Sequence, residues 1–207
     1  MTELQVPGVR CQAPGIDLQR ISVKILTDAL PILKLDSFLN IFGRWRTDAA
    51  HPAQWVDLAD YAHMPNGPGI VLVGKLCNFS FDLGAGAPGL LYAGKKGLAG
   101  TTEDRLKAVL LAGFRMSQRL VAEEEFPAGI HLLPGSLELI FNDRLETPNN
   151  AATDRLLRPA VRAVLDRLCG PGAYQLTPQP DPGRRYGFTV MAPKPATVET
   201  AIARLES

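Results

Sequence analysis

Apolar and polar positions alternate first over residues 20–25, where Ile21, Val23 and Ile25 interleave with Arg20, Ser22 and Lys24. A period of two sends one set to a buried sheet face and the other to the opposite face, so this stretch predicts a strand. Asp36 and Ser37 then precede Phe38, Leu39, Ile41, Phe42 and Trp45. That spacing predicts a helix with its capping residues at the front. Residues 54–63 and 69–83 read as two strands around a Pro/Gly turn. Gly84–Gly89 reads as a second turn, leading into a short strand at 90–93.

The longest helix is expected over 102–125. Thr101 and Asp104 have capping-box spacing, and Leu106, Leu110, Gly113, Ser117 and Leu120 or Val121 make a stripe at helical spacing. The small residues in that stripe imply close approach to a sheet or helix. Leu137, Leu139 and Phe141 alternate as a strand, and 149–169 reads as a helix with a bend or true start at Pro159. Residues 172–178 and 186–192 pair around Pro180–Gly183, and a short helix runs from 196 to 206.

The second half repeats the element order of the first. "KILTD" at 24–28 and "LIFND" at 139–143 each precede a loop, a helix and a hairpin. The expected fold is α+β, a mainly antiparallel sheet covered by helices. Internal duplication of a β-α-β-β-α unit would give pseudo-repeats at 19–127 and 134–207. Residues 1–18, with Pro7, Gly8, Pro14 and Gly15, read as an extended arm ahead of a single domain, 19–207.

The stretch "DLADYAHMPNGPG" (57–69) is the most polar of the strand regions. Its turn is expected to run Met64-Pro65-Asn66-Gly67, because Pro68 lacks the N–H that an Asn66-Gly67 type I′ turn requires. With Met64 facing Gly69, alternation puts Asp60 and Lys75 on one apolar face, at diagonal positions. Two readings stay open for this pair. One is a structural ion pair, with Arg44 or Arg46 as further partners; the other is an acid–base or carbonyl-binding pair. Asp57, Tyr61 and His63 fall on the other face, spread too far along the strand for Asp57 and His63 to share a metal.

Composition narrows the function. A net charge of +1 over 207 residues argues against a general nucleic-acid binder, and no apolar run reaches a membrane span. Cys11, Cys77 and Cys169 are scattered, with neither disulfide nor metal spacing. With no basic, apolar leader at the start, the expected home is the reducing cytosol. Gly94–Thr102 has two lysines before a helix start but no Walker A pattern. Gly84–Gly89 opens no helix, and no serine sits in a nucleophile elbow. Arg105, Arg115 and Arg119 form a basic helix stripe, expected to be solvated and bridged to Glu123. Arg184 and Arg185 form a candidate contact patch.

The segment "WVDLADYAHMPNGPGIVLVG" (55–74) resembles an uncharacterised bacterial protein family with an Asp-Val-Ala-Asp-Tyr-x-His-Val-Pro-x-Gly-Pro-Gly stretch. The likeness extends to "GLLYAGKKG" (89–97), "LELIFNDRLETPN" (137–149) and "LRPAVRAVLDRL" (157–168). It implies a shared fold and no reaction. Where the family has Gly-His-Glu, this chain has Gly74-Lys75-Leu76, so any chemistry of that His–Glu pair is missing here.

Two functions follow as expectations. The favoured one is a non-enzymatic cytosolic binding or accessory subunit, contacting a larger protein partner or a second copy of itself, with Tyr61, His63, Arg184 and Arg185 as binding residues. The alternative is a small-molecule enzyme or sensor using a groove near Asp60, Tyr61, His63 and Lys75. In either case no metal, cofactor or nucleic acid is expected.

Overall fold

The computed structural model describes residues 16–28, 35–48, 51, 53–64 and 66–207. Most of the expected N-terminal arm and Cys11 lie outside these. Among the described residues the chain forms β1 (Ile21–Thr27), α1 (Asp36–Arg46), β2 (Trp55–Tyr61), β3 (Gly69–Gly74), β4 (Cys77–Asp82) and β5 (Gly89–Gly94). There follow α2 (Thr102–Val121), β6 (Leu132–Phe141), α3 (Ala151–Cys169), β7 (Gln175–Pro178), β8 (Gly187–Met191) and α4 (Val198–Glu206). The strands make one antiparallel sheet of eight, ordered β2-β3-β4-β5-β1-β6-β8-β7. The fold is therefore α+β. The first strands of the two halves, β1 and β6, pair at its centre. The second half, β6-α3-β7-β8-α4, lies as β6-β8-β7. The first half lies as β1-β5-β4, extended outward by β3 and β2.

Alternation decides which face the helices cover. Ile21, Val23 and Ile25 of β1, Leu137, Leu139 and Phe141 of β6, and Phe188 and Val190 of β8 pack against α2, α3 and α4. Ile70, Leu72, Phe79, Phe81 and Leu90 pack against α1 and the far end of α2. The register puts these two sets on the same side, since Ile25 stands opposite Leu90, Leu90 opposite Phe81, and Phe81 opposite Ile70. Among the described residues, all four α-helices therefore lie on one face, and the other face carries none.

Local chemistry accounts for the helix starts. The Thr101 side chain accepts from Asp104 N, while Asp104 accepts from the Thr101 backbone, completing the capping box. Asn150 caps α3 by accepting from Ala152 N and Thr153 N. The stripe along α2 is buried, and a Cβ on Gly113 would come within 2.7 Å of Val23 Cγ1, so this glycine sets the helix-to-sheet distance. The expected caps of α1 are displaced: Leu35 occupies the cap position, makes no side-chain cap bond, and Asp36 already lies inside the helix. Pro159 does not start a helix either. It sits inside α3 on the exposed side, where water can satisfy the carbonyl left without an amide donor.

Two departures from the sequence reading govern everything near residue 60. The Met64–Gly67 turn forms, with Gly67 N donating to Met64 O at 3.0 Å, but a second turn precedes it, with Met64 N donating to Tyr61 O at 2.9 Å. That extra turn consumes three residues, so Tyr61 rather than Met64 faces Gly69, and the expected register slips by an odd number. The stretch expected as one strand over 69–83 also breaks at Lys75-Leu76 into the β3–β4 hairpin. Lys75 thus leaves the sheet. A register shift between Trp55 and Asp57 turns both Trp55 and Leu58 toward the helix side, leaving Val56 exposed.

Candidate functional site

The face opposite the helices can be read across all eight strands. Thr177, Thr189, Glu138, Lys24, Leu91, Ser80, Val71 and Ala59 stand in one continuous row of paired positions. At its middle, Lys24 is 1% exposed, and Ser22 and Ser80 are 3% exposed, although none of the four described α-helices covers them. A groove of about 540 Å³ runs over β1, β6 and β8. The Gly84–Gly86 turn bounds one side, and the Pro178–Arg185 connection bounds the other. A smaller groove of about 250 Å³ continues over β5 and β4, sharing Ile140 and Arg185 with the first.

Lys24 organises the floor. Its ammonium lies 2.7 Å from Asp82 Oδ2 and donates to Gly84 O at 3.0 Å. Asp82 is two strands away, so the lysine stem must cross β5, and it does so over Gly89. A Cβ at position 89 would meet Lys24 Cγ at 3.0 Å, Lys24 Cε at 3.1 Å and Ile25 O at 2.6 Å. Glycine there is the condition for the pair. Glu138 stands directly opposite Lys24 in the β1–β6 register. Burial pushes its carboxyl above the usual range; the Lys24 ammonium opposes that rise and the Asp82 charge adds to it.

The rims are cationic. Arg144, Arg184 and Arg185 line the larger groove, and Arg20, Lys95 and Arg185 line the smaller one. With Lys24 this makes six cations against two carboxylates, Asp82 and Glu138, on a chain whose net charge is only +1. Arg185 is held in place by donating to Asn142 Oδ1 at 2.7 Å, and Asn142 donates in turn to Ser22 Oγ at 2.7 Å. Lys95 donates to Gly74 O at 2.7 Å, and Arg184 lies 3.7 Å from Asp181. Among the described residues, Arg20, Arg144 and Arg185 form no ion pair. The Oδ1 atom of Asn78, which lines the smaller groove, is buried without a hydrogen-bond partner.

The residues singled out from the sequence divide between this surface and elsewhere. Arg184 and Arg185 line the groove. Asp60 and Lys75 do not meet: Asp60 is exposed near the end of edge strand β2, its Oδ1 accepting from Ala62 N, and Lys75 is exposed in a turn. Arg44, offered as a further partner for Asp60, instead binds Glu123 and Glu125. Tyr61 and His63 are exposed at the sheet's edge, remote from the groove. The basic stripe on α2 pairs with Asp17, Glu206 and Asp48 rather than Glu123. Glu123 also accepts from Trp45 Nε1 at 2.6 Å. Among the described residues, no group of three or more His, Cys, Asp or Glu could share a metal ion. No helix there is long and apolar enough to cross a membrane.

Lys24, Asp82, Glu138, Asn78 and Asn142 were missed as site residues. Their signal was present in the polar phase of three strands, Ser22/Lys24, Asn78/Ser80/Asp82 and Ser136/Glu138. A polar phase usually marks a solvated face, and alternation alone does not say that this one curves into a groove. No family model, no curated protein and no solved structure matches the chain.

Proposed function

We propose that this protein is a non-enzymatic cytosolic binding subunit whose receptor surface is the helix-free face of its sheet. The observation that carries the reading is the groove of about 540 Å³ over β1, β6 and β8. Its size falls in the range of small-ligand sites, roughly 300–1,000 Å³. It accommodates a small molecule or a short segment of a larger partner. Lys24 is bound up by Asp82 and Gly84 O, which suits a fixed floor better than a reacting group. The buried free thiols of Cys77 and Cys169 suit a reducing compartment.

The test compares the full chain with a Thr189→Trp variant, which fills the groove from an exposed position on β8. Each is expressed in its native host and analysed by native mass spectrometry. The expected result is a bound molecule, or a partner segment cross-linked to β6 or β8, on the wild type and absent from the variant. Equal occupancy in both proteins would overturn the proposal. A second reading, acid–base catalysis on a small molecule in this groove, draws on the raised carboxyl of Glu138. It replaces Asp60, Tyr61, His63 and Lys75 as the place to look. Chemical change of a bound molecule that stops with Glu138→Gln would favour it over simple binding.

A further inference from the structure

Resting on the reading of the open face as a receptor surface, we infer that the ligand carries an oxyanion, a carboxylate or phosphate, seated on Arg20, Lys95 and Arg185 in the smaller groove beside Asn78. The two grooves differ in the charge they offer. The larger holds Asp82 and Glu138, and its buried cation is already paired. The smaller is lined by three cations and no carboxylate, over a floor that includes Leu91, Ala93 and Ile140.

The cations there have donors to spare. Arg185 gives one N–H to Asn142 out of the five a guanidinium carries. Lys95 gives one of its three to Gly74 O, and Arg20, exposed at the groove's rim, makes no ion pair among the described residues. A planar or tetrahedral oxyanion matches such a guanidinium and ammonium set. The buried Asn78 Oδ1 adds a second requirement. A buried acceptor without a partner is costly, so the ligand also presents an N–H or O–H beside its anionic group. The shared residues Ile140 and Arg185 then orient it: anion over β5 and β4, remainder along the larger groove toward β8.

Phenyl phosphate, benzoate and neutral benzamide, titrated at constant ionic strength into the isotopically labelled full chain, test this by backbone amide shifts. Saturable shifts at Asn78, Ala93 and Asn142 are expected with at least one of the two anions, and benzamide should bind at least about tenfold more weakly. Response to phenyl phosphate alone assigns a phosphate source, and response to benzoate alone a carboxylate source. Arg185→Met and the exposed Arg20→Met should each weaken the anion about ten- to hundredfold without moving the unfolding midpoint. Arg155→Met, an exposed arginine on α3, should change nothing. Equal binding of benzamide, or an affinity indifferent to both Arg185→Met and Arg20→Met, overturns the oxyanion inference and leaves the receptor surface standing. Absence of open-face shifts with every probe overturns the inference, and if the native chain also carries no occupant, the receptor reading falls with it.

Discussion

Replacing Lys24 by methionine keeps most of the stem that crosses Gly89 and removes only the ammonium. Its partner is held at 2.7 Å, with the lysine side chain 2% and the Asp82 side chain 14% exposed. Stripping one member from a pair so shielded strands the other, at a cost of about 3–5 kcal/mol. An exposed pair such as Arg115–Glu206, with side chains 60% and 48% exposed, sets the contrast. Its loss should cost no more than about 1 kcal/mol. The two ends of the buried pair are not equivalent. Glu138 faces Lys24 across the β1–β6 register, so Asp82→Asn leaves the ammonium a second carboxylate within the groove, whereas Lys24→Met leaves both carboxylates without the buried ammonium. Urea unfolding near neutral pH should therefore rank Lys24→Met well below Asp82→Asn, with Arg115→Met close to the wild type. A Lys24→Met loss under about 1 kcal/mol, or a larger loss for Asp82→Asn, would refute the argument.

Gly113→Ala should destabilise the protein by about 1–3 kcal/mol in thermal or urea unfolding, although alanine is the better helix former, because the new methyl meets Val23. Glu138→Gln should gain stability relative to the wild type as pH rises. Burial makes the folded chain hold the Glu138 proton more tightly than the unfolded chain does, so the wild-type contribution is greatest in acid and falls as pH climbs through the folded value. Unfolding midpoints measured across pH should converge at the acid end; parallel curves would count against it. Lys75→Met should stay within about 0.5 kcal/mol of the wild type, since Lys75 is exposed in a turn and holds no buried partner; a loss of several kcal/mol would restore the pair with Asp60.

The elements that were legible in the sequence share a strong local signal. Alternation in Ile21–Ile25 and Leu137–Phe141, the capping pair Thr101/Asp104 and the stripe Leu106–Leu120 each constrain neighbouring residues. The structure contains all of them. Register was harder to read, because it depends on turn length. The Tyr61–Met64 turn has no glycine or proline among its four residues, and the Lys75-Leu76 hairpin has only Gly74 to mark it. Missing the first set Asp60 opposite Val73 where the structure sets it opposite Ile70, and missing the second put Lys75 in a strand. The groove was hidden for another reason. Lys24 and Asp82 meet only because β5 lies between β1 and β4 and carries glycine at the crossing point, a fact of strand order. Arg184 and Arg185 were recognisable as a basic pair, but the larger groove they help to border was not.

The central position of β1 bears on how the chain assembles. Its neighbours are not its successors: Val23 waits for Tyr92 on one side and for Leu139 on the other, while the β2–β3 and β3–β4 hairpins close locally. During synthesis β1, the earliest of the described strands, is thus among the last to be completed, and until residue 141 has left the ribosome it presents a bare hydrogen-bonding edge. Long loop closures of this kind slow folding more than they reduce final stability. A chain cut after α2 would keep α1 and the outer hairpins yet expose the Ile21–Thr27 edge to any other strand, so the seam between the two halves is where misassembly would begin.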